Sequence, residues 1–456
     1  MSSPTAGPKL LPRRAFLALT AALGAGLLVG CGSTAGTPTA ADDQTSDGNG
    51  PTGSNKTSIQ ELGGGEVRMA AAPQQQTTGN LCRFAAELFQ ASAPGTKNAV
   101  ISPYSVLAAL GMAELGAQGG PLAAITKVLG GEGKAVAGQV TAVDAAIAKA
   151  IAASQQASSG QSGTTPAVVS PANALFVQNG TTLQPAFLKA VSTGYGAGVF
   201  TTDYQTDPEA ARQQINGWVS EKTHELIPAL LERGSVTPLW RLALVNALYL
   251  KAQWSSELTK AGEKTPFVTA AGNTVSVEQL HGSGRHLNYA KGSGWQAASL
   301  PYLGDALAMT ILLPDAGAFG TVTKALDGPT LSAACSGADT PVDFSIPGFK
   351  TDFAIDLTDP LKGLGMAPAF DAPMPGIGGG GESLEIKKVI HQARISVDEH
   401  GTEAAAATVV AVGVGAAPSQ PETPIDFTVD RPFLYFIHDT TTKCPLFLGR
   451  VTDPTS

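Results

Sequence analysis

Few residues in this chain stand at spacings that would support local catalytic chemistry. The six histidines are scattered, and the spacing of His281 and His286 fits neither face of a metal-binding helix. No G-x-S-x-G elbow, H-E-x-x-H pair, Walker A loop or G-x-G-x-x-G turn after a strand occurs. We therefore expect no metal, no cofactor and no enzyme built on a local motif. A surface hydrolase with a dispersed catalytic set has no positive support.

Cys31 is the one cysteine whose neighbours indicate a covalent modification. It follows Leu28–Gly30, which looks like a bacterial lipobox, where small residues before a cysteine allow its thiol to be lipidated before cleavage. Arg13-Arg14 and the apolar run 15–30 have the layout of a twin-arginine export signal, and the run is too short and glycine-rich for a spanning helix. We predict that residues 1–30 are a signal peptide and that the lipid on Cys31 anchors the protein at the outer face of the cytoplasmic membrane. The alternative is an ordinary cleaved signal with an incidental cysteine.

The remaining cysteines are Cys82, Cys335 and Cys444. An exported protein can form disulfides, but an odd number leaves at least one thiol free. No two of the three stand in a C-x-x-C arrangement, so neither a zinc site nor a redox motif is indicated. The pairing among them stays open.

The composition divides the chain into a polar leader region and one long folded part. Residues 31–80 are rich in Ser, Thr, Gly, Pro, Ala and Gln and contain no aromatic residue, so we predict a flexible linker there. Residues 81–456 have no second linker of comparable length, and we predict a single folded domain although 456 residues suggest more than one. The net charge of -8 and the absence of a Lys/Arg-rich run downstream exclude a nucleic-acid footprint.

Helices and strands are mixed without regular alternation, which is typical of an α+β fold with large sheets. Ser102-Pro103 and Asp207-Pro208 each combine an N-cap residue with a first-turn proline before an apolar stripe. The nearly continuous apolar runs 242–250 and 306–313 predict buried strands. Near the end of the chain a turn joins two apolar runs, which predicts an antiparallel hairpin of residues 433–437 and 446–451.

The most informative stretch begins in a strand and continues into small residues. His391 to Val397 alternates between apolar and polar positions, as expected of a half-buried strand. Between Glu403 and Glu422 no charged residue occurs, and residues 409–417 are wholly small and apolar. Left exposed, such a segment invites strand addition and aggregation. Taken alone, it could also be an alanine-rich helix capped by Thr402.

Read with its neighbours, this stretch resembles the proximal hinge of inhibitory serpins. The residues that carry the resemblance are Glu399, Gly401, Thr402, Glu403, Ala404, Ala405, Ala406, Ala407 and Thr408. In that family a target protease cleaves one reactive loop, and the loop then inserts as a new strand into the main sheet with the acylated protease attached. The resemblance therefore implies a suicide inhibitor that forms a covalent complex with a target serine protease.

The residue types suit such an insertion. Small side chains let a sheet open little, and an uncharged segment buries no unpaired charge. By alternation, Thr402, Ala404, Ala406 and Thr408 would point into the core and Glu403 would stay outside. Gly401 gives the backbone freedom to turn, and no proline interrupts the ladder before Pro418.

Other segments match the same family in the same order along the chain. They are Asn98 to Ser105, Asn173 to Phe176, Val245 to Trp254, Phe427 to Phe433 and Cys444 to Val451. The similarity covers residues 81–453. It implies a serpin fold with three β-sheets, about eight or nine helices and an exposed reactive-centre loop.

The resemblance also assigns roles to individual polar residues of this chain. Ser102, Ser105, Asn246 and His391 occupy the positions of the shutter, the hydrogen-bonded cluster under the main sheet. Each could instead be a local cap or a satisfied core group.

Trp254 and Glu399 match the breach, where the loop first enters the sheet. Many relatives pair that glutamate with a base at the position of Gly348, so we expect Lys350, on the same strand face, to take its place.

Several neighbouring peptide bonds in the loop are candidates for the one that a protease would cut. Counting from the hinge gives Gly415-Ala416, but the loop is long, so Val414-Gly415 and Ala416-Ala417 remain alternatives. In each register the side chains are small and uncharged, which favours elastase-like or subtilisin-like targets over trypsin-like ones. We expect a monomer, and the competing hypothesis is a serpin-fold lipoprotein that no longer inhibits and instead binds or carries a ligand.

Overall fold

The computed structural model describes residues 60–62, 68–379, 384–403 and 423–456 of the 456-residue chain. All elements named below lie in these ranges. The helices are α1 Gln74–Ser92, α2 Pro103–Glu114, α3 Gly119–Leu129, α4 Gly133–Ser158, α5 Pro185–Tyr195, α6 Pro208–Lys222, α7 Phe319–Lys324, α8 Gly328–Ala334, α9 Thr358–Leu361 and α10 Ala367–Phe370. The π-helical turn Lys362–Met366 joins α9 to α10, so the described residues form nine helical segments, within the expected number.

The strands collect into two hydrogen-bonded sheets. They are β1 Gln60–Leu62, β2 Ala99–Ile101, β3 Val168–Gln178, β4 Val199–Thr202, β5 Leu242–Gln253, β6 Thr259–Val268, β7 Thr274–Gly292, β8 Trp295–Pro301, β9 Leu307–Pro314, β10 Ala338–Pro347, β11 Phe349–Asp356, β12 Ile386–Val397, β13 Gly401–Thr402, β14 Ile425–Thr428, β15 Phe433–Asp439 and β16 Pro445–Val451.

The first sheet, called the main sheet below, has the strand order β1-β4-β3-β5-β13-β12-β11. Its central strand β5 is buried along almost its whole length, as its apolar sequence predicts. A core of apolar residues lies beneath it, and a second cluster packs α6 on its other face through residues such as Ile215 and Phe176. Strands β5 and β12 run parallel at the centre of the main sheet, and this pair positions the candidate site.

The second sheet has the order β14-β10-β7-β8-β9-β15-β16-β2, with β6 also paired to β7. Strand β7 pairs with β6 and β10 along much of its length and with β8 only at its end. An irregularity between Val342 and Phe344 of β10 interrupts the register opposite residues 282–285 of β7. A bulge of this kind bends a sheet. The described strands therefore form two hydrogen-bonded sheets, in which the second and third sheets of the expected architecture are continuous through β7.

The elements predicted from local signals are confirmed. Ser102 caps α2 by accepting a hydrogen bond from the Ser105 backbone N–H, and Asp207 caps α6 in the same way from Ala210. The C-terminal hairpin is antiparallel, with Phe433 opposite Val451.

The folded part begins earlier than its composition indicates. Helix α1 starts at Gln74, and Thr77 in its first turn is buried, so residue 81 is not the start of ordered structure. Gln60–Leu62 form β1, a strand of the main sheet within the region expected to be linker. The prediction of a flexible linker up to residue 80 was wrong because backbone hydrogen bonds hold residues 60–62, 69 and 72. Composition does not reveal such bonds, since any sequence can make them. The signal peptide and Cys31 lie outside the described residues.

Candidate functional site at the fork of the main sheet

The two central strands of the main sheet pair over only part of their length. β5 and β12 are in parallel register from Leu242 opposite Ile386 to Ala247 opposite Gln392. Beyond this point, in the described part of the chain, they no longer pair with each other, and β13 lies between them at the far end. We call this divergence the fork, with its base at Ala247 and its mouth at β13.

The mouth of the fork holds the start of the predicted hinge. Thr402 lies opposite Val397 of β12 and Ala252 of β5, and its buried hydroxyl is 2.6 Å from the Tyr302 hydroxyl. A Cβ on Gly401 would lie 2.1 Å from the Ala252 carbonyl oxygen, so no larger residue fits there. The expectation that Thr402 points inward is met.

Glu403 continues the same strand path by one residue. Its backbone N–H donates to the Ser396 carbonyl of β12 at 3.0 Å, and its φ of 53° is unusual for a residue with a side chain. The side chain is half-buried rather than fully outside, and burial raises its pKa although Arg394 and Lys350 oppose the effect. Ala404 to Thr408 of the hinge, and Val414 to Ala417 of the bait, lie outside the described residues.

At the base of the fork the predicted shutter residues meet. The Ser102 backbone N–H donates to His391 Nε2 at 2.9 Å, and His391 Nδ1 lies against Asn246 Oδ1. The Ser102 hydroxyl bonds to the Ser105 hydroxyl at 3.1 Å, and Ser105 in turn donates to the Ala247 carbonyl at 3.4 Å. We call Ser102, Ser105, Asn246 and His391 the base cluster. It connects α2, β5 and β12 where the two strands stop pairing.

This geometry fixes the charge of the histidine. Because a backbone N–H donates to Nε2, that nitrogen carries no proton, and Nδ1–H is left to donate to Asn246. Complete burial lowers the pKa of His391 to about 4, with the contact to Asn246 opposing the shift. The base cluster is therefore neutral and buried at ordinary pH.

The predicted breach residues surround the mouth. Trp254 stacks on Tyr302 with ring centroids 4.6 Å apart, and its indole Nε1–H donates to the Asp398 carbonyl at 3.0 Å. The Trp254 backbone N–H donates to the His400 carbonyl at 2.9 Å. Trp254 thus holds the turn that leads from β12 into β13.

The prediction that Lys350 pairs with Glu399 was wrong. Glu399 Oε1 lies 2.9 Å from Lys260 Nζ of β6, not against Lys350. Lys350 is exposed on β11 opposite Ser396, and its charge acts on Glu403 instead. Burial opposes ionisation of Glu399, but the hydrogen bond from Lys260 keeps its pKa below the ordinary value.

Sequence reasoning missed several residues at the mouth. His400 Nδ1 lies 3.0 Å from Glu257 Oε1, and Tyr302 supplies the hydroxyl that meets Thr402. These residues and Lys260 come from distant strands and turns and have no local signal, so only the folded chain identifies them. We call Glu257, Lys260, Glu399 and His400 the mouth cluster.

The three cysteines in the described part of the chain form no disulfide. Cys82, Cys335 and Cys444 are free and buried, and burial raises the pKa of Cys82 and Cys444 to about 12. Thiols of this kind are poor nucleophiles and metal ligands. Among the described residues, no group of His, Cys, Asp and Glu side chains could hold a metal ion.

Comparison with known proteins agrees with this architecture. The profile of the family described as "Serpin (serine protease inhibitor)" matches residues 79–454, and the chain therefore belongs to the serpin family. An uncharacterised serpin-like protein of Thermococcus kodakarensis is 33% identical over 373 residues, covering 81% of this chain and 84% of that protein. The leukocyte elastase inhibitor of Bos taurus is 32% identical over 387 residues, covering 82% and 98%.

A solved structure gives the same result for the fold. The native state of tengpin, a thermophilic serpin, superposes with a TM-score of 0.72 at 25% identity, covering 87% of this chain and 99% of tengpin. The fold is a serpin fold, and the fork lies in its main sheet.

Proposed function

We propose that this protein is an irreversible suicide inhibitor of serine proteases. The observation that carries the proposal is the fork, since the hinge already occupies its mouth as a short strand between β5 and β12. Cleavage of the loop that follows would free this strand to extend toward the base cluster. Each new ladder hydrogen bond would contribute about 1 kcal/mol, so a strand of ordinary length supplies a substantial driving force.

Insertion accounts for irreversibility. A serine protease is bound to the loop as an acyl-enzyme when the peptide bond breaks, and the loop carries it along as the strand extends. Displacement distorts the protease's active site before water can complete hydrolysis. The inhibitor itself catalyses nothing, and its site residues act as hinge and latch.

The target class follows from the bait. Val414, Gly415, Ala416 and Ala417 are small and uncharged, so they suit the shallow apolar pocket of an elastase-like or subtilisin-like protease. The similarity to a leukocyte elastase inhibitor supports the same class.

The inhibitor acts at the cell surface as a monomer. A lipid on Cys31 would hold it at the outer face of the cytoplasmic membrane, where it meets its own or foreign proteases. Cys31→Ser should abolish incorporation of labelled palmitate into the protein. Equal incorporation into both forms would contradict the anchor.

The deciding experiment is incubation of the soluble chain 32–456 with pancreatic elastase and with subtilisin, followed by denaturing electrophoresis and intact mass. We expect a complex that survives denaturation, with the summed mass less a C-terminal peptide. The N-terminus of that peptide gives the scissile bond. Clean loop cleavage with the protease left active would refute inhibition and favour a non-inhibitory binding or carrier role.

A further inference from the structure

An N-terminal segment crosses the main sheet edge and two helices before α1 begins. We call its described parts, Gln60–Leu62 and residues 68–73, the strap. In the first part, β1 pairs antiparallel with β4, which would otherwise be the edge of the main sheet. In the second, the Met69 N–H donates to the Thr193 carbonyl at 3.0 Å and the Ala72 N–H to the Gly138 carbonyl at 2.9 Å. The strap is thus bonded to β4, α5 and α4.

The strap packs closely on both helices. A Cβ on Gly196, at the C-terminus of α5, would lie 2.5 Å from Arg68 Nη1, so a side chain there would displace the guanidinium. A Cβ on Gly138 in α4 would lie 3.4 Å from the Ala70 carbonyl oxygen, which is ordinary van der Waals contact.

One side chain of the strap is linked to the helix of the base cluster through a residue of α4. Arg68 Nη2 donates to Asp144 Oδ2 of α4 at 2.6 Å and to the Gly194 carbonyl at 3.2 Å. The other oxygen of Asp144 accepts from the hydroxyl of Tyr104, which is buried between Ser102 and Ser105 in the first turn of α2. Arg68 and Asp144 are 32% and 26% exposed, so solvent screens their charge-assisted bond only in part.

The strap and the base cluster both contact elements that must shift when β5 and β12 move apart. A new strand between β5 and β12 requires those strands to move apart by about 4.8 Å. β1, β4 and β3 lie on the β5 side of the fork, whereas α2 is bonded to both sides through Ser105 and His391. The first part of the strap pairs with β4 on the β5 side, and Arg68 of the second part is linked through Asp144 to the turn of α2 that bridges the fork.

We propose that Arg68, Asp144 and Tyr104 are positioning residues of the inhibitory mechanism, through which the strap holds the first turn of α2 and slows opening of the fork. This inference rests on the proposed function. It assigns a role in sheet opening to a segment that lies far along the chain from the hinge.

Uptake of an added peptide as a new strand between β5 and β12 measures opening of the fork without any protease. The probe is a fluorescein-labelled peptide with the sequence of residues 402–413, added to the soluble chain 32–456, with incorporation followed by native electrophoresis. Arg68→Met and Tyr104→Phe should each take up the peptide about fivefold faster than the parent protein. The double variant should be no faster than either single one, because both changes break one chain of contacts.

The matched control is Arg83→Met. Arg83 pairs with Glu87 on α1 with similar exposure and also bonds to a backbone carbonyl, but its contacts do not lead to the base cluster. It should take up peptide within about twofold of the parent rate while losing comparable stability in urea. Tyr104→Phe keeps the buried ring and decides the question if Arg68→Met does not fold.

Two results would overturn the inference. If Arg68→Met and Tyr104→Phe lose stability but take up peptide at the parent rate, the strap is merely structural. Equal acceleration in Arg83→Met would show that general destabilisation opens the fork. In both cases trapping of elastase by the parent protein would leave the proposed function intact. A parent protein that neither takes up peptide nor traps a protease would refute both proposals.

Discussion

The base and the mouth of the fork hold the same two strands by different physical means. The base cluster is buried and neutral, and every bond in it replaces a bond to water that the folded chain cannot make. The mouth cluster is charged and partly exposed, with Lys260 at 47% and Glu399 at 22%. A buried neutral network is costly to break, whereas exposed ion pairs rearrange at little cost. The contacts at the base are therefore costlier to break than the ion pairs at the mouth, where the proposed mechanism would admit a new strand.

Removing one member of the base cluster should have the largest effect. Asn246→Ala leaves His391 Nδ1 and the Ile390 carbonyl without their partner inside the fold. We expect a loss of about 2–4 kcal/mol in the free energy of unfolding, measured by urea titration with circular dichroism. The exposed Asn273→Ala is the control and should change stability by less than about 0.5 kcal/mol. Equal effects in the two variants would remove the distinction between base and surface.

The base cluster should also respond to acid. Burial lowers the pKa of His391 to about 4 from 6.5, so between these values the unfolded chain binds a proton that the folded chain does not. The stability from His391 is complete above pH 6.5 and is lost as the pH falls toward 4, by up to roughly 3 kcal/mol. His438 acts in the same direction, while Glu114, whose pKa burial raises to about 7, opposes it.

A substitution isolates the contribution of His391 to the pH dependence of stability. The difference in unfolding free energy between the parent and His391→Gln should be larger at pH 7 than at pH 4.5, because the variant has no imidazole to titrate at this position. Urea titrations at both pH values give this difference. A difference that is independent of pH would mean that His391 is not held neutral.

The mouth should give the smallest effect. Lys260→Met breaks the pair with Glu399, and because Lys260 is half exposed we expect a loss below about 1 kcal/mol that shrinks further in salt. Lys264→Met, on the same strand and exposed, is the matched control. A loss as large as that of Asn246→Ala would show that the mouth is as firm as the base.

Prediction from sequence succeeded where a residue's role is tied to a local pattern. Ser102 caps α2, and His391 alternates with buried apolar residues on β12, so their positions could be predicted before the fold was known. Lys260 could not, because an ion pair between β6 and the turn after β12 leaves no trace in either segment. The strap was missed for another reason. Its polar composition is that of a linker, and the groups that bind it are backbone carbonyls and Asp144 on helices distant in sequence.

The order of strands also determines what a cut in the loop would do to the molecule. The two strands that lead directly into the loop, β12 and β13, belong to the main sheet, whereas β14, β15 and β16 after it belong to the second sheet. β15 lies between β9 and β16, and β16 between β15 and β2, and all residues of both strands are buried. A chain severed between residues 403 and 423 is thus a two-piece complex whose smaller fragment is woven into the core. It would travel as one particle in native buffer and separate only in denaturant, so the broken bond changes connectivity without dissociating the protein.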